Sequence, residues 1–200
     1  ASDRAGEPVR TTRLEAANKL FTRLVDEEAY RDRAQYYLGL VNYQIGRYKN
    51  AILYLRQHLD HTPDRGTTDR ARVMARIGMA YLQLGEVVKA REICNKALAI
   101  EPADLGARWT LGCALAEEGR DDEALRAFKD ILEDAPDHSP AFVELVRLRK
   151  RRGDASWLKS ALRAEVKGFD RLPVAVDSQD GAIHPRATTR ERITTIAGAL

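Results

Sequence analysis

Four histidines and two cysteines are the side chains through which this chain could hold a metal ion or raise a nucleophile, and their spacing favours neither. His58 and His61 stand three apart near one helix end, but no cysteine or third ligand follows at a spacing that would close a tetrahedral site. His138 and His184 are isolated. A loop or solvated helix end is therefore expected for the pair. Cys94 and Cys113 both fall inside apolar helical patterns, which predicts free thiols and a reducing, cytoplasmic compartment. Asp121, Asp122 and Glu123 could supply paired acids, yet they open a helix, where capping accounts for them. No phosphate-binding loop or nucleophile elbow is present. The expectation is a protein with no catalytic residues, no metal ligands and no cofactor.

The remaining charged motif is "RLRKRRGD", residues 147–154. Residues 147–171 hold nine Lys/Arg against three acids, although the whole chain carries only +3. Such a run could meet phosphate backbones or an acidic partner. It also suits the C-terminal end of a helix, where the macrodipole favours cations that stay solvated. Nucleic-acid binding is thus a minor reading, because no module for groove readout accompanies the run.

The elements that would position these groups are helical. Of 200 residues, 44% are hydrophobic, 32% charged and only 6% aromatic, and alternating Val/Ile runs are missing. No run of about 18 apolar residues could span a bilayer. The opening "ASDRAGEPVR" has no apolar signal region and begins with Ala rather than Met, which fits a processed or excised piece of a longer chain.

Residues 71–104 and 105–138 align without a gap at a period of 34, and residues 32–65 form a third copy, separated by "GTTDR". Each copy has Gly at its eighth position (Gly39, Gly78, Gly112), Gly at its fifteenth (Gly46, Gly85, Gly119), Ala at its twentieth (Ala51, Ala90, Ala124) and Pro at its thirty-second (Pro63, Pro102, Pro136). A mid-helix glycine costs roughly 1 kcal/mol against alanine, so the first set implies a closely approaching partner helix, with the alanines as its small side. The second set suits the left-handed position after a helix end. The prolines stop the second helix of each pair.

This pattern resembles the tetratricopeptide repeat family, with "IGMAY", Ala90 and Pro102 in one copy and "LGCAL", Ala124, Phe128 and Pro136 in the next. Gln35, Met74 and Arg108 stand at the family's early Trp position, and Leu55 and Cys94 replace its later aromatic. The resemblance implies an all-α fold, an α-solenoid of helix-turn-helix repeats forming a right-handed superhelix. It also implies a concave groove lined by the first helix of each repeat. Carried onto this chain, that groove face holds Arg33, Tyr36, Tyr37, Leu40, Tyr43 and Gln44. It continues through Arg72, Arg76, Met79 and Gln83, then Trp109, Thr110, Cys113 and Glu117, and finally Glu144, Arg147, Lys150 and Arg151. Tyr, Trp, Met and Arg are enriched in protein contact patches. Trp109 is the leading anchor, and the expected ligand is a segment or amphipathic helix with apolar and acidic side chains, held between cationic walls. The tyrosines and Leu40 could instead pack on the N-terminal helix. Relatives that grip acidic chaperone tails use Asn and Lys where this chain has Leu40 and Arg76, so that clamp is incomplete.

The expected organisation is a leading segment 1–11, a half repeat 12–31 opened by a Thr12–Glu15 capping box, the three repeats, and a degenerate pair 139–170. A linker 171–187 and a helix 188–200 opened by a Thr188–Glu191 box complete it. That last helix either docks back on the repeats or begins a further domain, and the terminal helices offer a route to self-association. The resulting expectation is a non-enzymatic adaptor that binds another protein. The alternative is a regulatory or substrate-docking segment of a larger multidomain enzyme.

Overall fold

The computed structural model describes residues 7–61, 67–169 and 185–200. They form ten helices: α1 (Glu7–Leu24), α2 (Arg31–Ile45), α3 (Tyr48–His61), α4 (Thr67–Gln83), α5 (Val87–Ile100), α6 (Leu105–Glu117), α7 (Asp121–Asp134), α8 (Ser139–Arg151), α9 (Ala155–Phe169) and α10 (Pro185–Ala199). No strand occurs among the described residues, and the architecture is an all-α helical repeat. Pro63, residues 1–6 of the expected leading segment and residues 171–184 of the expected linker lie outside the described residues.

The turns follow from glycine. Gly46, Gly85, Gly119 and Gly153 all have φ between 72° and 87°, the left-handed region in which a side chain is strained. At each, the next amide donates to the carbonyl five residues back: Arg47 to Asn42 (2.8 Å), Glu86 to Tyr81 (2.9 Å), Arg120 to Leu115 (2.9 Å) and Asp154 to Arg149 (3.0 Å). This closes the first helix of each pair and turns the chain into the second. Pro102 and Pro136 follow the ends of α5 and α7.

The mid-helix glycines mark close approach, with one correction to the expected partner. A Cβ on Gly39 would stand 2.5 Å from Leu55 Cγ and 2.6 Å from its Cδ2, and one on Gly78 would stand 2.5 Å from Cys94 Sγ. The residue opposite Gly39 and opposite Gly78 is therefore the one sixteen positions on, not the alanine twelve on. Ala51 contributes its backbone oxygen, 3.4 Å away, rather than its side chain. Ala51, Ala90 and Ala124 are nonetheless fully buried.

The chain divides into two compact units, Ala1–Ala114 and Leu115–Leu200. In the first, Ile52, Leu55 and Leu59 of α3 meet Val73, Ile77 and Tyr81 of α4 and Ala90 of α5, each large side chain contributing ~1.5–3 kcal/mol by leaving water. A seam of alanines, Ala71, Ala75, Ala97 and Ala107, joins α4, α5 and the start of α6. Here α1 packs on α2, with Phe21 stacked on Tyr37 (5.2 Å) and Glu15 bound to Arg47 (2.7 Å). Because α1 begins at Glu7, Thr12 and Glu15 lie inside the helix, so they cannot form the expected capping box.

In the second unit α10 docks on α8 and α9, burying Ile196 and Ala199 against Phe142, Val146 and Leu158. Arg192 lies over the Phe142 ring (4.5 Å) and bonds Glu165 and the Pro136 carbonyl. Thr188 and Glu191 fall within this helix rather than at its start, and Glu191 accepts from Ser139 Oγ (3.0 Å).

Candidate partner-binding site

The face of α4 organises the first unit's surface. Arg72, Arg76 and Met79 recur at intervals of three and four, which on a helix gives one stripe. The adjoining buried face, with Val73, Ile77 and Ala80, fixes which way that stripe points. Three cavities adjoin it. One of about 150 Å³ is lined by Tyr36, His58, Asp69, Arg72 and Val73. A second, of about 130 Å³, lies among Leu40, Tyr43, Gln44, Leu55, Arg76 and Met79. The third and largest, about 440 Å³, runs from Arg72, Ala75, Arg76 and Met79 to Glu101, Ala103, Asp104, Leu105 and Gly106 at the α5–α6 joint. Arg72 borders the first and third, and Arg76 and Met79 border the second and third. Tyr36, Leu40, Tyr43, Arg72, Arg76 and Met79, all named from the sequence, are thus brought together.

Local contacts hold these side chains. Tyr36 sits edge-on to Tyr37 and tilted against His58 (5.2 Å), and Tyr43 packs edge-on to Tyr48 (5.4 Å). Burial, then the neighbouring Tyr48, raises the Tyr43 hydroxyl above its usual range, so it remains a neutral donor. Arg72 reaches Asp69 (3.4 Å). The Arg76 Nε is shielded from solvent and has no hydrogen-bond partner.

Other expected positions have different surroundings. Thr110 is 0% exposed and its hydroxyl donates to the Gly106 carbonyl (2.7 Å), so it is a core residue of α6. Tyr37 stacks on Phe21 of α1, yet stays 46% exposed. Arg33 is exposed on α2. Trp109 is half-buried, with Nε1 shielded and unpartnered, and lines none of these three cavities. Cys113 is half-buried and in no disulfide, whereas Cys94 is fully buried and its burial pushes the thiol up to about 12, which makes it inert. The walls are not purely cationic either, since Glu101 and Asp104 face the largest cavity.

The histidine expectation also changes. His58 is 3% exposed, not solvated, with Nδ1 2.5 Å from Asp32 Oδ1 and 3.1 Å from the Asp32 carbonyl oxygen. His138 caps α8, its Nδ1 accepting from the Ala141 amide (3.1 Å), and burial lowers its pKa. Among the described residues no group of three or more His, Cys, Asp or Glu could hold a metal ion. Nor is any helix among them long and apolar enough to cross a membrane.

In the second unit the basic run is met by acids. Arg151 and Arg152 bind Asp121 and Asp122, Arg149 binds Asp154 (2.7 Å) and Arg147 binds Glu144 (3.1 Å). Arg151 also donates to the Ala116 carbonyl (3.0 Å), and Lys150 to that of Gly198 (3.2 Å). Asp121 and Asp122 therefore serve as ion-pair partners. The first residue before α7, Arg120, has no side-chain cap. Arg152 holds the Asp122 carboxyl below its usual range.

Repeated helix-turn-helix pairs with shaped cavities between their first helices define a helical-repeat interaction module. Two tetratricopeptide repeat family models match residues 9–66 and 81–149, and the chain belongs to that family, which is generally a protein-interaction module rather than a catalytic one. No curated protein sequence matches the chain. Its fold is similar to that of MamA (41-end) from Desulfovibrio magneticus RS-1, at 16% identity and a TM-score of 0.61 over 98% of this chain and 91% of that one. It is also similar to YrrB, a TPR protein with an unusual peptide-binding site (23%, TM-score 0.54, 74% of each chain). A third likeness is to the first TPR of Spaghetti (RPAP3) bound to the HSP90 peptide SRMEEVD (21%, TM-score 0.53, 61% of this chain and 93% of that one).

Proposed function

We propose that this protein is a non-catalytic adaptor that holds a segment of a partner protein along the α4 stripe. The observation that carries this reading is the sharing of Arg72, Arg76 and Met79 among three adjoining cavities. An extended segment or a short helix crossing them would set apolar side chains against Leu40, Tyr43 and Met79, with an acidic group beside Arg76. Arg76 is suited to this because its shielded Nε lacks an acceptor and a guanidinium matches a carboxylate in two-point geometry. Apolar anchoring supplies the affinity and the charge selects the partner. Peptide binding by YrrB and RPAP3 supports the same reading. A docking segment of a larger enzyme would use the same groove.

Random dodecapeptides displayed on phage and selected on the wild-type chain test this. Selected peptides are expected to bind Met79→Arg and Arg76→Glu at least roughly tenfold more weakly, while far-ultraviolet circular dichroism stays helical. Equal binding to both variants, or no enrichment, would overturn the groove.

A further inference from the structure

The largest cavity has an asymmetry that an acid-binding groove does not need. On its α4 side stand Arg72 and Arg76. At the joint between α5 and α6 stand Glu101 and Asp104, and Ala75 and Met79 of α4 meet Gly106 of α6 in the same lining. The two acids are there for local reasons. Asp104 accepts from the Ala107 amide (2.7 Å) and so caps α6, and Glu101 follows the last turn of α5. Gly106 keeps the floor open: a Cβ there would come within 3.4 Å of Met79 Cε and 3.3 Å of Asp104 Oδ1. Opposite charges thereby line one cavity, the cationic pair from α4 and the acidic pair from the α5–α6 joint.

We infer that this cavity reads a charge pair: a partner segment carrying one acidic and one basic side chain on either side of an apolar residue, the acid beside Arg76, the apolar group on Met79 and the base beside Glu101 and Asp104. The inference rests on the proposed groove and narrows its ligand. An all-acidic segment would meet repulsion from Glu101 and Asp104 as it entered, while a dipolar one is complementary in a single chain direction. The cavity thus fixes both the composition and the polarity of the bound segment.

The peptides enriched on the wild-type chain provide the test, measured by fluorescence polarisation against purified full-length variants. Groove-dependent peptides should contain the acid–apolar–base pattern and bind Glu101→Arg at least roughly tenfold more weakly, as expected when a like charge replaces a complementary one. The double variant Arg76→Glu, Glu101→Arg should regain binding to a peptide with its two charges exchanged. Peptides that depend on Met79 yet carry only acids, and bind Glu101→Arg as well as wild type, would overturn the charge-pair reading and leave the groove intact. Peptides indifferent to Met79→Arg would overturn both. Because Asp104 caps α6 it is left unchanged in this series, and circular dichroism verifies that each variant is folded.

Discussion

Gly39→Ala tests the helix contact on which the repeat depends. The added Cβ would meet Leu55 Cγ at 2.5 Å and Cδ2 at 2.6 Å, where carbon atoms ordinarily rest ~3.5–4.0 Å apart. Leu55 must retreat by about 1 Å to reach that ordinary separation. Its Cγ is a branch point rather than a flexible tip, and the side chain is only 1% exposed, so α3 itself has to move. Overpacking of this kind costs ~1–3 kcal/mol, and alanine returns ~1 kcal/mol of helix propensity. The net expectation is a loss of up to ~2 kcal/mol, against the gain expected where the added methyl meets nothing. Leu55→Ala alone should cost ~2–5 kcal/mol. Combined with Gly39→Ala it should cost less than the sum, because each change vacates or fills the same space. Gly198→Ala is the control: nothing lies within 4 Å of its would-be Cβ, so stability should stay level or rise by up to ~1 kcal/mol. Equilibrium urea unfolding of the four variants measures these values. A Gly39→Ala protein more stable than wild type, as expected of the Gly198→Ala control, or strict additivity with Leu55→Ala, would refute close approach as the reason for the glycine.

Cysteine accessibility follows from burial: a thiol reagent at mildly alkaline pH should titrate Cys113 quickly and Cys94 only on unfolding, and Cys113→Ser should abolish the fast phase. Two equally fast thiols would contradict the buried position of Cys94 in α5. His138 should make stability pH-dependent, since burial lowers its pKa and the neutral ring accepts from Ala141. That contribution is present above the ordinary histidine value of about 6.5 and is lost as pH falls from there through the depressed folded pKa. Urea midpoints measured across this range should show the slope in wild type and a flatter one in His138→Asn, and an unchanged slope would contradict the assignment. Reversing Arg151→Asp should cost no more than ~1 kcal/mol, the pair being partly exposed. The exchange Arg151→Asp, Asp121→Arg should restore it in the same unfolding assay, and failure to do so would deny the pair its place.

The repeat register was legible because it is written in residues with few conformational alternatives. Gly46, Gly85 and Gly119 sit where only a left-handed residue closes the helix, and Pro102 and Pro136 follow the helices they were expected to stop. The six cavity-lining residues on α2 and α4 were legible because helical periodicity and the family pattern coincide there. The misplaced positions depend on partners far along the chain. Nothing within residues 147–152 announces that Asp121 and Asp122 will meet Arg151 and Arg152. His58 reads as a solvated helix end until Asp32, on the preceding helix, is brought beside it. Thr110 reads as a surface hydroxyl until its bond to the Gly106 carbonyl and its burial against the Gly78 contact are seen. Periodicity gives a face, and the depth of a residue within that face depends on what packs over it.

Photo-crosslinking tests most directly whether a partner segment lies on the α4 stripe. A photoreactive phenylalanine analogue placed at Met79, lining two of the cavities, is compared with one at Val88, 54% exposed on α5. A selected peptide should crosslink to position 79 and not to position 88, whereas capture at 88 with none at 79 would contradict the account.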